Sequence, residues 1–214
     1  MLKCDDMYRV ILIAVPGAGK STILKRVSEN VENLSIVNFG DVMFEEARKL
    51  GIRSRDDMRK LMDSESYIRL QEKAAEKIGG INGRVIVDTH AAVKTPKGYY
   101  PGLPPNVTQR IRPRAIIFLE FRPEDILARR LKDNVAGIRK REGETIEEIE
   151  EHQRVSIAYA IASSTYSSSY FVKLSFRYPE AYPFQHVDDA ASKLIHYLSS
   201  LEEEHKAHSP ETIR

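Results

Sequence analysis

Ala14-Val15-Pro16-Gly17-Ala18-Gly19-Lys20-Ser21-Thr22 is the stretch that decides the fold. It follows an apolar run at 10–15 and leads straight into an amphipathic segment at 21–30. That strand, glycine turn and helix context is what an anion cradle needs. Backbone N–H groups of Gly17, Ala18, Gly19 and Lys20 can curl around phosphate oxygens, and glycine lets the chain approach them closely. The helix start adds the positive end of its dipole. Lys20 then reaches the β and γ phosphates of a nucleotide, and the Ser21 hydroxyl suits Mg²⁺. Ala14 stands where many such loops carry their first glycine, a position open to a residue with ordinary backbone angles. The whole stretch from Ala14 to Thr22 is therefore the expected nucleotide-binding segment.

Outward from the loop, short β-branched runs alternate with longer amphipathic ones. Residues 10–15, 34–39, 84–88, 115–121 and 170–176 read as strands, most of them apolar throughout, as buried parallel strands are. Helices are expected at 21–30, 41–50 and 54–78, the last with Met58, Leu61 and Met62 on one face and Ser54 as its cap. Pro123, Glu124 and Asp125 open another helix, Thr145 with Glu148 makes a capping box for one ending near 163, and 187–204 forms the last. Strand and helix in alternation predict a three-layer α/β/α fold around a parallel sheet. Two segments break the rhythm and read as excursions over the ligand-bearing edge: the proline- and glycine-rich 89–108, and the charged 133–144.

Length and composition set outer limits. The 214 residues suffice for one α/β domain with insertions. With 33 basic and 31 acidic residues the net charge is +2, which gives no reason to expect nucleic-acid binding. Cys4 is the only cysteine, so no internal disulfide is possible. The start MLKCDDMYR has no signal-peptide pattern and no apolar run is long enough to cross a bilayer, so a cytoplasmic location without a membrane partner is expected.

A second carboxylate signal comes from Val85-Ile86-Val87-Asp88. Ligands collect at the C-terminal edge of such sheets, so Asp88 is placed to hold Mg²⁺ directly or through water, although strand-end aspartates are also common turn residues.

The acceptor is not defined by the loop. Asn38-Phe39-Gly40-Asp41, Ser54-Arg55-Asp56-Asp57-Met58-Arg59-Lys60-Leu61, Asp88-Thr89-His90-Ala91, the run from Lys94 to Pro104, and Ile117-Phe118-Leu119-Glu120 resemble archaeal-type adenylate kinase, within the P-loop nucleoside monophosphate kinases, in order and spacing. The resemblance runs from about Tyr8 to Leu174. It implies five parallel strands, an AMP-side helical insertion at about 40–80, a short lid at 133–144 and a homo-oligomer, commonly a trimer. It also implies reversible transfer of a phosphoryl group from MgATP to AMP, giving two ADP.

Two polyanions must meet in such a reaction, so cations are expected at the lid. Arg129, Arg130 and Lys132 stand at its entry, and Arg139, Lys140 and Arg141 lie inside it. Arginine's planar fork matches phosphate oxygens. Lys20, Arg130 and Arg141, or Arg139 in its place, are the expected catalytic cations, with Asp41, Arg59 and Lys94 on the acceptor. A charge run is also the ordinary content of a solvated helix face, and Arg59 has Asp56 as a ready surface partner. His90 reads as a hydrogen-bonded loop residue, because an anionic acceptor needs no strong base. Tyr99 and Tyr100 fit either a nucleotide base or the anchoring of their own loop. One departure stands out: Ile157 occupies a place where the family tends to carry arginine, and Arg154, a turn earlier, is the available substitute. Another small-acceptor kinase and an ATP-hydrolysing assembly factor remain alternatives on the same scaffold.

Overall fold

The apolar segment Tyr8–Ile13 (β1) forms the middle of a five-stranded, all-parallel sheet. The computed structural model describes residues 8–62, 64–135 and 145–207. After β1 come α1 (Lys20–Ser28), β2 (Leu34–Asn38), α2 (Phe39–Lys49), α3 (Arg55–Lys60), α4 (Glu65–Gly79) and β3 (Arg84–Thr89). A hairpin of β4 (Ala92–Thr95) and β5 (Gly98–Pro101) follows, then α5 (Pro105–Ile111), β6 (Ala115–Phe121), α6 (Pro123–Val135), α7 (Ile146–Ser167), β7 (Tyr170–Phe176) and α8 (Gln185–Ala207). The sheet order is β2-β3-β1-β6-β7.

Because side chains alternate along a strand, one apolar run feeds two cores. Val10, Leu12, Ile117 and Leu119 join Ile23, Val27, Leu194 and Leu198 under α1 and α8. Ile11, Ile13, Val85, Val87 and Phe118 join Met43, Leu70, Ile78 and Ile111 on the opposite face. This double burial is why the inner strands β1, β3 and β6 are almost wholly apolar, and it yields the three layers that the alternation predicts.

Two local expectations are corrected. The single helix expected over 54–78 is two, α3 and α4, because Ser64 caps a new start by accepting the Tyr67 N–H at 3.2 Å. The 89–108 excursion is also not irregular throughout: it folds into the β4–β5 hairpin and α5. Side chains of α7 fasten the hairpin region by its main chain. His152 Nε2 lies 3.1 Å from the Ala92 carbonyl, Tyr159 OH donates to the Tyr99 carbonyl at 3.0 Å, and Ser163 Oγ donates to the Leu103 carbonyl at 2.7 Å.

Gly102 closes the hairpin against residue 90. Its N–H donates to the Ala91 carbonyl at 2.8 Å, and a Cβ there would stand 2.0 Å from the His90 carbonyl oxygen. Gly102→Ala must therefore push backbone from backbone. A loss of about 1–3 kcal/mol is expected, read as a melting temperature lower by roughly 5 °C.

Candidate active site

The turn after β1 carries its positive-φ residues at Gly17 (φ 85°) and Gly19 (φ 87°), where a side chain would be strained. Gly19 is also the N-cap of α1, so the loop's amides and the helix start converge. Ala14 is buried without a left-handed angle, which accounts for the absence of glycine there.

The loop is held from outside through its carbonyls. His90 Nδ1 lies 2.8 Å from the Ala14 carbonyl. Arg130 donates from Nε at 2.8 Å, and from Nη2, to the Pro16 carbonyl. Arg129 Nη1 donates to the Ala18 carbonyl at 3.2 Å. In a trans peptide the C=O and the following N–H point opposite ways. Drawing the carbonyls of 14, 16 and 18 outward therefore turns the N–H groups of Val15, Gly17 and Gly19 the other way, as a cradle requires.

Lys20 is buried, and its ammonium reaches Asp88 Oδ1 at 2.5 Å and the Thr89 carbonyl. Burial lowers its pKa, and the charge and hydrogen bond of Asp88 work against that. Asp88 takes its second partner from Asn38, whose Nδ2 donates to Oδ2 at 2.9 Å. The parallel register sets Asn38 beside Asp88, and the other oxygen of Asn38 caps α2 by accepting the Asp41 N–H at 3.1 Å. Strand register was the signal that could have found Asn38.

Ser21 and Thr22 are exposed in the first turn of α1. The remaining expected residues are each engaged on the protein. Arg59 pairs with Asp56 at 3.0 Å on an exposed surface, Lys94 with Glu148 at 3.1 Å, and Asp41 with Arg55. Arg139, Lys140 and Arg141 lie outside the described residues. Arg154 is exposed and lies 3.8 Å from Glu150, while Ile157 packs against the core; on either side of them along α7, His152 and Tyr159 turn to the hairpin. Tyr99 rests on His152 and Tyr100 meets Tyr67 edge-on, so both rings bind the protein.

His90 is held neutral. Burial, seconded by the charge of Lys20, pushes its imidazole down to about 3. The unfolded chain takes up a proton near the ordinary 6.5 while the folded one does not, so stability falls as pH drops from about 6.5 towards 3. The loss is on the order of a few kcal/mol. His90→Asn, which keeps a donor to Ala14, is expected to flatten that slope in denaturant titrations at stepped pH.

The comparisons agree with this geometry. A family model described as an AAA domain matches residues 13–150. An adenylate kinase of Pyrobaculum aerophilum is 43% identical over 192 residues, covering 89% of this chain and 96% of that protein. An adenylate kinase of Pyrococcus furiosus is 42% identical over 166 residues, covering 76% and 83%. A shikimate kinase structure from Bacteroides thetaiotaomicron superposes with a TM-score of 0.53 at 15% identity, covering 90% of this chain and 98% of that one, which speaks for the fold alone. With such identity along nearly the full length of both proteins, and with the phosphate loop at the head of the central strand, the chain belongs to the archaeal type of adenylate kinase.

Proposed function

We propose that the chain catalyses reversible, in-line transfer of a phosphoryl group from MgATP to AMP, giving two ADP. The observation that carries this reading is the glycine turn with a buried ammonium at its end, in a chain with full-length adenylate kinase relatives. The whole chain acts as one kinase domain, with 40–80 as the AMP side and 133–144 as the lid, and it assembles as a homotrimer in the cytoplasm. Among the described residues no helix is long and apolar enough to cross a membrane.

The amides of residues 15–20 receive the donor phosphates. Lys20 exchanges its contact with Asp88 for phosphate oxygens and follows the charge as it spreads in the transition state. Ser21 and Asp88 supply hard oxygen donors of the kind Mg²⁺ prefers. When bound, that ion neutralises charge on the β and γ phosphates. Arg59 and Lys94 serve the acceptor by exchanging their present ion pairs for its phosphate, Asp41 accepts from O–H or N–H groups of the acceptor nucleoside, and Arg141 or Arg139 closes from the lid. Neutral His90 shapes the loop without taking a proton.

A coupled assay offering AMP, CMP, UMP and GMP with MgATP tests the acceptor. AMP is expected to be preferred, and EDTA to abolish transfer. Clear preference for a pyrimidine or guanine acceptor would assign the scaffold to another monophosphate. Slow hydrolysis without any acceptor would favour the assembly-factor alternative.

A further inference from the structure

His186, in the first turn of α8, is fully buried, and the phosphoryl-transfer chemistry itself asks for no imidazole there. Its neighbours fix its tautomer. A guanidinium can only donate, and Arg129 Nη2 lies 3.2 Å from Nδ1, so Nδ1 holds the lone pair. The proton is then on Nε2, which donates to the Tyr178 carbonyl at 2.8 Å. Arg129 reaches onward with Nη1 to the Ala18 carbonyl, and its guanidinium lies over the Phe121 ring at 5.4 Å. Two carboxylates flank the pair: Glu180 from the loop before α8, 3.5 Å from Nδ1 and 3.7 Å from Arg129, and Asp125 from α6, 4.0 Å from Nδ1. The rings of Tyr178 and Phe121 cover the remaining sides of the imidazole.

We propose that His186 is a positioning residue for the phosphate loop, acting through Arg129 to orient the Ala18–Gly19 peptide. The imidazole has one acceptor and one donor, spaced so that it grips the main chain at Tyr178 while it aims the guanidinium at Ala18. With that carbonyl drawn outward, the Gly19 N–H is turned into the cradle before any nucleotide arrives. An arginine without such a brace has several rotatable bonds and a competing carboxylate beside it, Glu180. The imidazole thus selects, among the partners open to Arg129, the arrangement that serves the loop. This inference rests on the loop holding MgATP, as proposed above.

The two ring nitrogens can be tested separately. In His186→Asn the amide oxygen falls near the place of Nδ1 and keeps an acceptor for Arg129, while the donor to Tyr178 is lost. In His186→Gln the amide nitrogen falls near Nε2 and keeps that donor, while the acceptor is lost. From the worth of one charge-assisted hydrogen bond, His186→Gln is expected to raise KM for MgATP about tenfold with KM for AMP held within about twofold, and His186→Asn to stay within about threefold of the parent. Arg129→Ala should match His186→Gln, and the double variant should be no worse than Arg129→Ala alone. Rescue by glutamine rather than asparagine, or additive losses in the double variant, would show that His186 only anchors its own loop. Should neither His186 variant fold, Arg129→Ala decides alone: a raised KM for MgATP supports the inference and an unchanged one ends it. Calorimetric titration of the parent protein with MgATP separates the two levels of failure. No binding by the parent overturns the functional reading, whereas parent-like binding by His186→Gln overturns only this inference.

Discussion

Lys20→Ala is expected to lower turnover by on the order of a thousandfold or more, about 4 kcal/mol of transition-state stabilisation, in a protein that still folds. The ammonium is buried, and its partners are Asp88, the Thr89 carbonyl and, at 3.5 Å, the Leu12 carbonyl. It is therefore held in place before substrate binds, and little reorganisation separates that position from one on the transferring group. A charge placed in advance, away from water, acts more strongly than one recruited from solvent. Asp88 keeps its hydrogen bond from Asn38 in the variant, and both cores are untouched, so circular dichroism and a melting curve close to the parent's are the controls. Near-normal turnover in a folded Lys20→Ala protein would remove the lysine from the mechanism.

Arg130→Ala is expected to cost about a tenth of that factor, on the donor side. The residue is 3% exposed, and two of its nitrogens hold the Pro16 carbonyl. Truncation leaves that carbonyl without its charged donor and opens a void beside the loop. Stability should fall by about 1–3 kcal/mol, and kcat/KM for MgATP by about a hundredfold as Gly17 loses its fixed orientation. KM for AMP should change least. Arg130→Lys should recover only part, because a single ammonium cannot reproduce the planar two-point grip. If AMP affinity alone fell, Arg130 would instead be an acceptor ligand.

The centre of the sheet was legible because burial of β1, β3 and β6 on both faces leaves no room for polar alternation, while the edge strands β2 and β7 are marked by their β-branched and aromatic residues and by alternation with helices. The loop was legible for a related reason: glycines at 17 and 19 are demanded by the backbone and not by a neighbour. The hairpin was harder. Ala92–Thr95 and Gly98–Pro101 are four residues each, punctuated by the proline and glycine that usually mark irregular chain, and their pairing rests on contacts to α7 as well as on a turn in which Thr95 Oγ1 donates to the Gly98 carbonyl at 2.7 Å. Ser64 is hard to read as a cap because Met58, Leu61 and Met62 carry the apolar spacing up to it and the residue three on, Tyr67, is no glutamate. Of the site, Lys20 and Asp88 could be anticipated, whereas Arg130, expected as a catalytic cation at the lid entry, is found on the Pro16 carbonyl. What Arg129, Arg130 and His90 hold could not be anticipated, since a main-chain carbonyl leaves no mark on a sequence. His186 gave still less warning, as one histidine in an amphipathic helix beyond the region of family resemblance.

The fastening of the hairpin region by His152, Tyr159 and Ser163 has a practical reading for anyone who wishes to alter acceptor choice. All three of these hydrogen bonds end on main-chain oxygens, which are common to all amino acids. Side chains along 92–103 other than Gly102, Lys94 and Tyr99, which have contacts of their own, can accordingly be exchanged without erasing these points of attachment. The latitude is one-sided: the same freedom does not extend to the three helix positions, where a change of residue type cuts the tether itself.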